Sequence, residues 1–294
     1  MLPAGVHWGV DSAGEVHKPA KQNHKQTVFE YVSEQLGQAP EFWGRYIWGK
    51  FRMSDEEVDY IFDQNDGNTR ILPIYNGTSA TLQYGRNTYE DGKRDGRTAI
   101  ECAAKLGIPA DNNVMIWADI EGKWVPSAEW FEGWWDTMFD SKYAGLGGIY
   151  HNPKIPHFYK PFYQALKQSL ADYAPGIINP FAPPAKNVTP AIKAKELQQP
   201  LPVRDPAGHM RYLWSTEPRP QHHTHRPFYP RDLSTEWDPS KQQPMEPMNC
   251  PGRTVLWQYR FEDLGLVDQD LCDDRAYDLM WSLDKNRIIN PFDN

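Results

Sequence analysis

Short apolar runs alternate with amphipathic segments along most of this chain, and that alternation constrains the fold more than any other feature. Residues 6–10 (VHWGV) read as a strand ending at Asp11, and 27–36 follow as a helix stopped by Gly37 and Pro40. Residues 43–48 (WGRYIW) make a second strand. Ser54 then opens a helix with Glu57 three residues later, the spacing of a capping box. A third strand spans 70–75 (RILPIY), although its Pro73 sits awkwardly inside a sheet. The helix over 87–106 closes at Gly107 and Pro109. Strand 114–121 (VMIWADIE), helix 127–139, strand 147–150 and helix 156–173 continue the series. Repeated strand–helix units require a parallel sheet with crossover helices. A chain of 294 residues accommodates an eight-unit barrel of about 250 residues plus an insertion. The expected fold class is therefore α/β, a TIM-type (β/α) barrel forming a single domain over residues 1–294.

The pattern breaks near Pro175. From there to Pro251 about every fifth residue is proline, against a usual frequency near ~5%. Within this stretch only 211–216 (RYLWST) resembles a strand, so 175–251 reads as a Pro-rich insertion around the sixth barrel strand. Its flanks are either ordered loops or a disordered linker, and their many aromatics favour the first. Regular pattern resumes at 254–259 (TVLWQY) and 266–268, followed by a last helix through Trp281.

Composition excludes some functions. A net charge of −8 argues against binding a phosphate backbone, so no nucleic-acid partner is expected. No stretch approaches eighteen consecutive apolar residues, so no membrane span is expected. The amino terminus lacks a basic start and long apolar run, which leaves a cytoplasmic location or export by a non-classical route. Cys102, Cys250 and Cys272 are too few and scattered for a disulfide framework or zinc site, though one disulfide stays open. His222, His223 and His225, with His209 nearby, read as a solvated loop, because no Cys or carboxylate completes a metal site. Phosphate-binding glycine loops and the nucleophile elbow are absent, and nothing calls for a metal or cofactor. Twelve Trp, fifteen Tyr and twelve Phe can fill the core or line a cleft, where flat rings stack on sugar faces.

The chemistry-bearing residues are acidic. Asp11 ends the first strand, and Asp119 and Glu121 lie two apart at the end of the fourth. Side chains alternate along a strand, so positions i and i+2 share a face and aim both carboxylates into one space. Neighbouring carboxylates cannot both ionise freely, which provides one acid and one carboxylate, the minimum for glycoside hydrolysis. The same pair also fits ordinary surface charges or metal ligands.

Gly9-Val10-Asp11, Gly44-Arg45-Tyr46, Ile71-Leu72-Pro73-Ile74-Tyr75, Asp119-Ile120-Glu121, Gly148-Ile149-Tyr150 and Trp257-Gln258-Tyr259 follow one another in order and at even spacing. That series resembles the glycoside-hydrolase family 25 lysozymes, and more closely the bacterial glycoside-hydrolase-like domain family of uncharacterised function. The resemblance runs from about Gly5 to Asp270, apart from the Pro-rich loops. It implies Glu121 as general acid, Asp119 as a substrate-orienting or charge-stabilising group, and Asp11 on the cleft floor. Asp268 would be a fourth carboxylate, and Tyr75, Tyr150, Trp214 and Gln258 would line the cleft or else pack the barrel. In lysozymes of that type the substrate's own acetamido group can serve as nucleophile.

The leading expectation is a lysozyme-like hydrolase of peptidoglycan or a related amino-sugar polymer. The alternative is a non-catalytic glycan-binding or structural/effector component of a larger assembly, with the Pro-rich insertion as docking surface for a protein partner. A metal-dependent hydrolase is the third.

Overall fold

The computed structural model describes residues 2, 4–83, 85–110, 114–121, 123–144, 147–152, 155–173, 211–216 and 254–286. Eight strands close into a barrel in chain order: β1 (Val6–Asp11), β2 (Phe42–Tyr46), β3 (Arg70–Tyr75), β4 (Trp117–Asp119), β5 (Gly148–His151), β6 (Leu213–Ser215), β7 (Thr254–Asp263) and β8 (Val267–Asp273). Six neighbouring pairs, β1·β2 through β6·β7, are parallel. β8 runs antiparallel to both of its neighbours, so the α/β barrel departs from the all-parallel form at one strand. The turn 264–266 joins β7 to β8 directly, and a hairpin of that length can only reverse the chain.

Among the described residues the α-helices are α1 (Val28–Leu36), α2 (Asp55–Phe62), α3 (Ser79–Leu82), α4 (Tyr89–Lys105), α5 (Ala128–Phe139), α6 (Pro156–Tyr173), α7 (Asp274–Tyr277) and α8 (Leu283–Asn286). Thr27 and Thr88 close full capping boxes with Glu30 and Asp91. Ser54 caps α2, but the expected reciprocal bond from Glu57 is missing. Glu57 instead turns inward to the fully buried Arg45 of β2, with Nε to Oε1 at 2.7 Å, and accepts from the Val16 amide at 2.8 Å. A buried guanidinium needs a counter-charge more than an exposed helix end needs a second bond.

Period-two alternation sorts the strands into two layers. Phe42, Leu72, Ile74, Trp117, Trp214 and Leu256 fill the barrel interior. Trp8, Val10, Trp43, Ile71, Tyr75, Ile149 and Leu213 face outward into the helical layer. That layer is aromatic: Tyr75 stacks on Trp134, Trp134 on Trp130, and Phe131 on Trp135, with centroids 5.5–6.0 Å apart. Among the described residues most of the aromatic rings are therefore core. Pro73 is tolerated because of what its missing amide would meet. Ile71 pairs with Trp281 on that side, and β4 joins only from Ile74, so the absent donor falls between two pairings.

The expected last helix through Trp281 is replaced by two single turns. Asp273 caps α7, the Leu279 carbonyl accepts from the Met115 amide at 2.8 Å, and Trp281 bridges to Ile71. These bonds serve strand starts at the amino-terminal end of the barrel, which a continuous helix could not reach. The Pro-rich insertion outside 211–216, the histidine tract at His209, His222, His223 and His225, and Cys250 lie outside the described residues.

Candidate functional site

The carboxyl ends of the parallel strands meet at one mouth, where side chains that continue the inward parity converge. Asp11 ends β1 and pairs in register with Gly44 of β2 and with Asp268 of β8. A β-carbon on Gly44 would lie 2.6 Å from that of Asp11, so glycine there makes room for the carboxylate. Because β8 is reversed, its first residues, not its last, reach this end of the barrel. Asp268 and Asp270 therefore join Asp11, Asp119 and Glu121 in one acidic group.

Hydrogen bonds hold this group in place. The Tyr150 hydroxyl donates to Gln258 Oε1 at 2.9 Å, which turns the Gln258 amide nitrogen toward Asp11 Oδ2 at 2.8 Å and Asp268 Oδ2 at 3.0 Å. The Trp214 indole donates to Asp270 Oδ1 at 3.0 Å. The Glu262 amide supports Asp268 Oδ1 at 2.5 Å. The backbone of the Asp119–Glu121 segment is fixed from both sides: Thr78 Oγ1 donates to the Asp119 carbonyl, and His151 Nδ1 to that of Ile120 at 2.5 Å. The Ile120 amide donates to the Tyr150 carbonyl at 3.1 Å. Burial pulls the His151 pKa down to about 4, so its ring is neutral at pH 7.

Burial raises every carboxyl of the group above its ordinary range. Asp11 is raised well above it, with the Asp268 charge adding to the effect. Asp119 follows, reinforced by Glu121 and Asp11. Asp270 behaves likewise beside Asp11, and burial pushes Asp268 up to about 6. Glu121 is raised less, because it is exposed at the rim and Lys123 opposes the shift. Asp119 is 3% exposed and its Oδ1 has no hydrogen-bond partner among the described residues, while the Asp270 carboxyl shares a hydrogen bond with that of Asp11. A group of crowded carboxyls holds acids and carboxylates together, so a carboxyl at its rim can donate a proton while an ionised neighbour faces developing positive charge.

Of the residues expected at a site, Asp11, Asp119, Glu121, Tyr150, Trp214, Gln258 and Asp268 come together here. Tyr75 does not. It points out of the barrel and packs against Trp134 and Trp48, because it is one residue out of phase with inward Leu72 and Ile74. The residue in phase is Asn76, which lines the cavity beside Asp119. Sequence reasoning also passed over Tyr46 and Asp270. The signals were present: Asp270 stands two after Asp268, and Tyr46 two after Gly44.

Two adjoining cavities open over the group and share Ala13 and Tyr46. One, of about 410 Å³, is lined by Asp11, Ser12, Glu262 and Asp268 among others. The second, of about 430 Å³, holds Asp119, Glu121 and Asn76 with the rings of Trp48, Phe51 and Trp124. Among the described residues no His, Cys, Asp and Glu set is arranged to hold a metal ion, and no helix is long and apolar enough to cross a membrane.

No curated protein matches the chain by sequence. Among solved structures it is similar to an uncharacterized B. stearothermophilus protein, with 24% identity and a TM-score of 0.62, covering 94% of this chain and 100% of that one. The Mycobacterium tuberculosis Tat-secreted protein Rv2525c matches at 15% identity and a TM-score of 0.47 over 94% of this chain and 99% of its own. The modular autolysin LytC from Streptococcus pneumoniae matches at 12% identity and a TM-score of 0.40 over 92% of this chain and 47% of its own. Residues 21–226 match the family model described as the Rv2525c-like, glycoside hydrolase-like domain. With more than half of its length inside that match, the chain belongs to the Rv2525c-like glycoside hydrolase-like family.

Proposed function

We propose that this protein is a glycoside hydrolase acting on peptidoglycan or a related amino-sugar polymer. The observation that carries the reading is that a rim carboxyl, Glu121, and buried Asp119 line one cavity at the mouth of a barrel of this family. Glu121 is the general acid: its carboxyl hydrogen passes to the glycosidic oxygen as the C1–O bond breaks, and the bond's electron pair leaves with that oxygen. Asp119 in its ionised form, with Asp11 behind it, stabilises the positive charge that develops on the sugar ring. The part of Gln258, Tyr150 and Trp214 is positioning, since their polar atoms hold Asp11, Asp268 and Asp270. Water completes the reaction by adding its hydroxyl to C1 and returning its proton to Glu121.

The test is reducing-end release from purified peptidoglycan and chitin-like polymers by wild type and Glu121→Gln. Release by wild type, falling at least ~100-fold in the variant, is the expected result. Equal release by both would remove Glu121 from the centre. No release by either, with the polymer retained in a pull-down, would replace the hydrolase reading by that of a glycan-binding barrel.

A further inference from the structure

The cavity beside Glu121 differs from its neighbour over Asp11. Trp48 and Phe51 lie on the segment that follows β2, and Trp124 lies just past Glu121, so three rings surround a polar inner wall of Asn76 and Asp119. Phe51 is 41% exposed, one of two large hydrophobic side chains that are exposed among the described residues. On the polar wall, Oδ1 of Asn76 and Oδ1 of Asp119 are both shielded from solvent and lack a hydrogen-bond partner among the described residues. Leaving a buried acceptor unpaired costs about 1–3 kcal/mol, so each of these oxygens takes a donor from water or from a ligand.

A ligand for this space must have a flat apolar face for the rings and polar groups along its edge. The edge must also suit Asp119 in either protonation state, because its carboxyl is raised well above the ordinary range. A hydroxyl donates to a carboxylate and accepts from a carboxylic acid, so it fits both states. A pyranose ring carries its C–H bonds on its faces and its hydroxyl or acylamino groups on its edge. The rims of the two cavities meet at Ala13 and Tyr46, so an extended chain can lie across both.

We infer that the cavity lined by Trp48, Phe51 and Trp124 is a sugar subsite that takes one pyranose ring of a glycan chain, its face on those rings and its hydroxyl edge on Asn76 and Asp119. The inference rests on the hydrolase reading only for the side of the cut bond on which this ring lies. Binding itself requires no turnover.

The experiment is calorimetric titration with chitopentaose and, separately, cellopentaose. It compares wild type, Glu121→Gln, Phe51→Ala, Trp48→Ala and Asn76→Ala, with Phe139→Ala as a control ring exposed elsewhere on α5. Circular dichroism confirms folding. Phe51 is exposed enough that its truncation leaves the fold intact, so that variant decides the matter if Trp48→Ala fails to fold. The expected result is that at least one pentasaccharide binds wild type and Glu121→Gln. Phe51→Ala and Asn76→Ala should each weaken that binding roughly tenfold, and Phe139→Ala should not. Unchanged affinity in Phe51→Ala and Asn76→Ala, or no binding of either sugar to wild type, would overturn the subsite. Binding that follows this pattern without cleavage would leave the subsite standing and remove the hydrolase reading. Cleavage with unchanged affinities would do the reverse.

Discussion

Asp95 gives a test of the electrostatics away from the site. It lies on α4, 4% exposed, and its carboxyl accepts from the Trp130 indole at 2.9 Å and from the Thr81 hydroxyl at 3.0 Å. These bonds favour the ionised form, yet burial outweighs them and pushes the pKa up from 3.8 to about 6. A folded-state pKa above the unfolded one means that folding stability is intact at low pH and declines as pH rises through the folded value. At about 1.36 kcal/mol per pH unit, the penalty reaches about 3 kcal/mol at pH 8 and is under about 1 kcal/mol at pH 4. Asp95→Asn removes the titration while keeping the shape. Its amide oxygen still accepts from Trp130, and its nitrogen faces Thr81, whose hydroxyl can turn to accept. The assay is urea unfolding followed by tryptophan fluorescence at pH 4 and pH 8, comparing the variant with wild type. The other buried carboxyls are present in both proteins and cancel in the difference. The variant should gain on wild type by about 2–3 kcal/mol between the two pH values. A difference that stays constant with pH would refute the reasoning, because a lost hydrogen bond or altered packing has no such dependence.

Two stability predictions concern the frame around the site. Arg45→Met leaves the Glu57 carboxylate buried without its partner and should cost about 3–5 kcal/mol, much of it recovered in Arg45→Met/Glu57→Leu. Equilibrium denaturation of the double-mutant cycle checks this, and strict additivity would sink it. Gly133→Ala places a β-carbon 2.0 Å from the Tyr89 carbonyl oxygen where α4 meets α5, and should lower stability by about 1–3 kcal/mol or more. A thermal melt within one degree of wild type would contradict that contact.

Much of the barrel is legible in the amino-acid sequence because it rests on local signals. Five of the strands, β1, β2, β3, β5 and β6, and the longer helices α1, α2, α4, α5 and α6 follow from hydrophobic period, caps and glycine or proline stops, with ends displaced by at most two residues. Strand 114–121 shortened more, to β4, because Met115 gives its amide to Leu279. The shared face of Asp119 and Glu121 is also local, a consequence of strand alternation alone. Asn76 could have been chosen over Tyr75 on the same rule, since parity from Leu72 and Ile74 names it.

What the chain's local pattern does not contain is the direction in which its last strand enters the barrel. Asp268 and Asp270 face Asp11 only because the short turn after β7 sends β8 back against its neighbours, which puts the start of that strand at the mouth. Glu57 leaves its helix cap for the same kind of reason: Arg45, twelve residues earlier, is buried against it. The sequence by itself determined the units and the face each side chain takes on its strand. Tertiary structure decided which carboxyls meet and how far burial raises them, because both depend on contacts between segments as distant as Asp11 and Asp268.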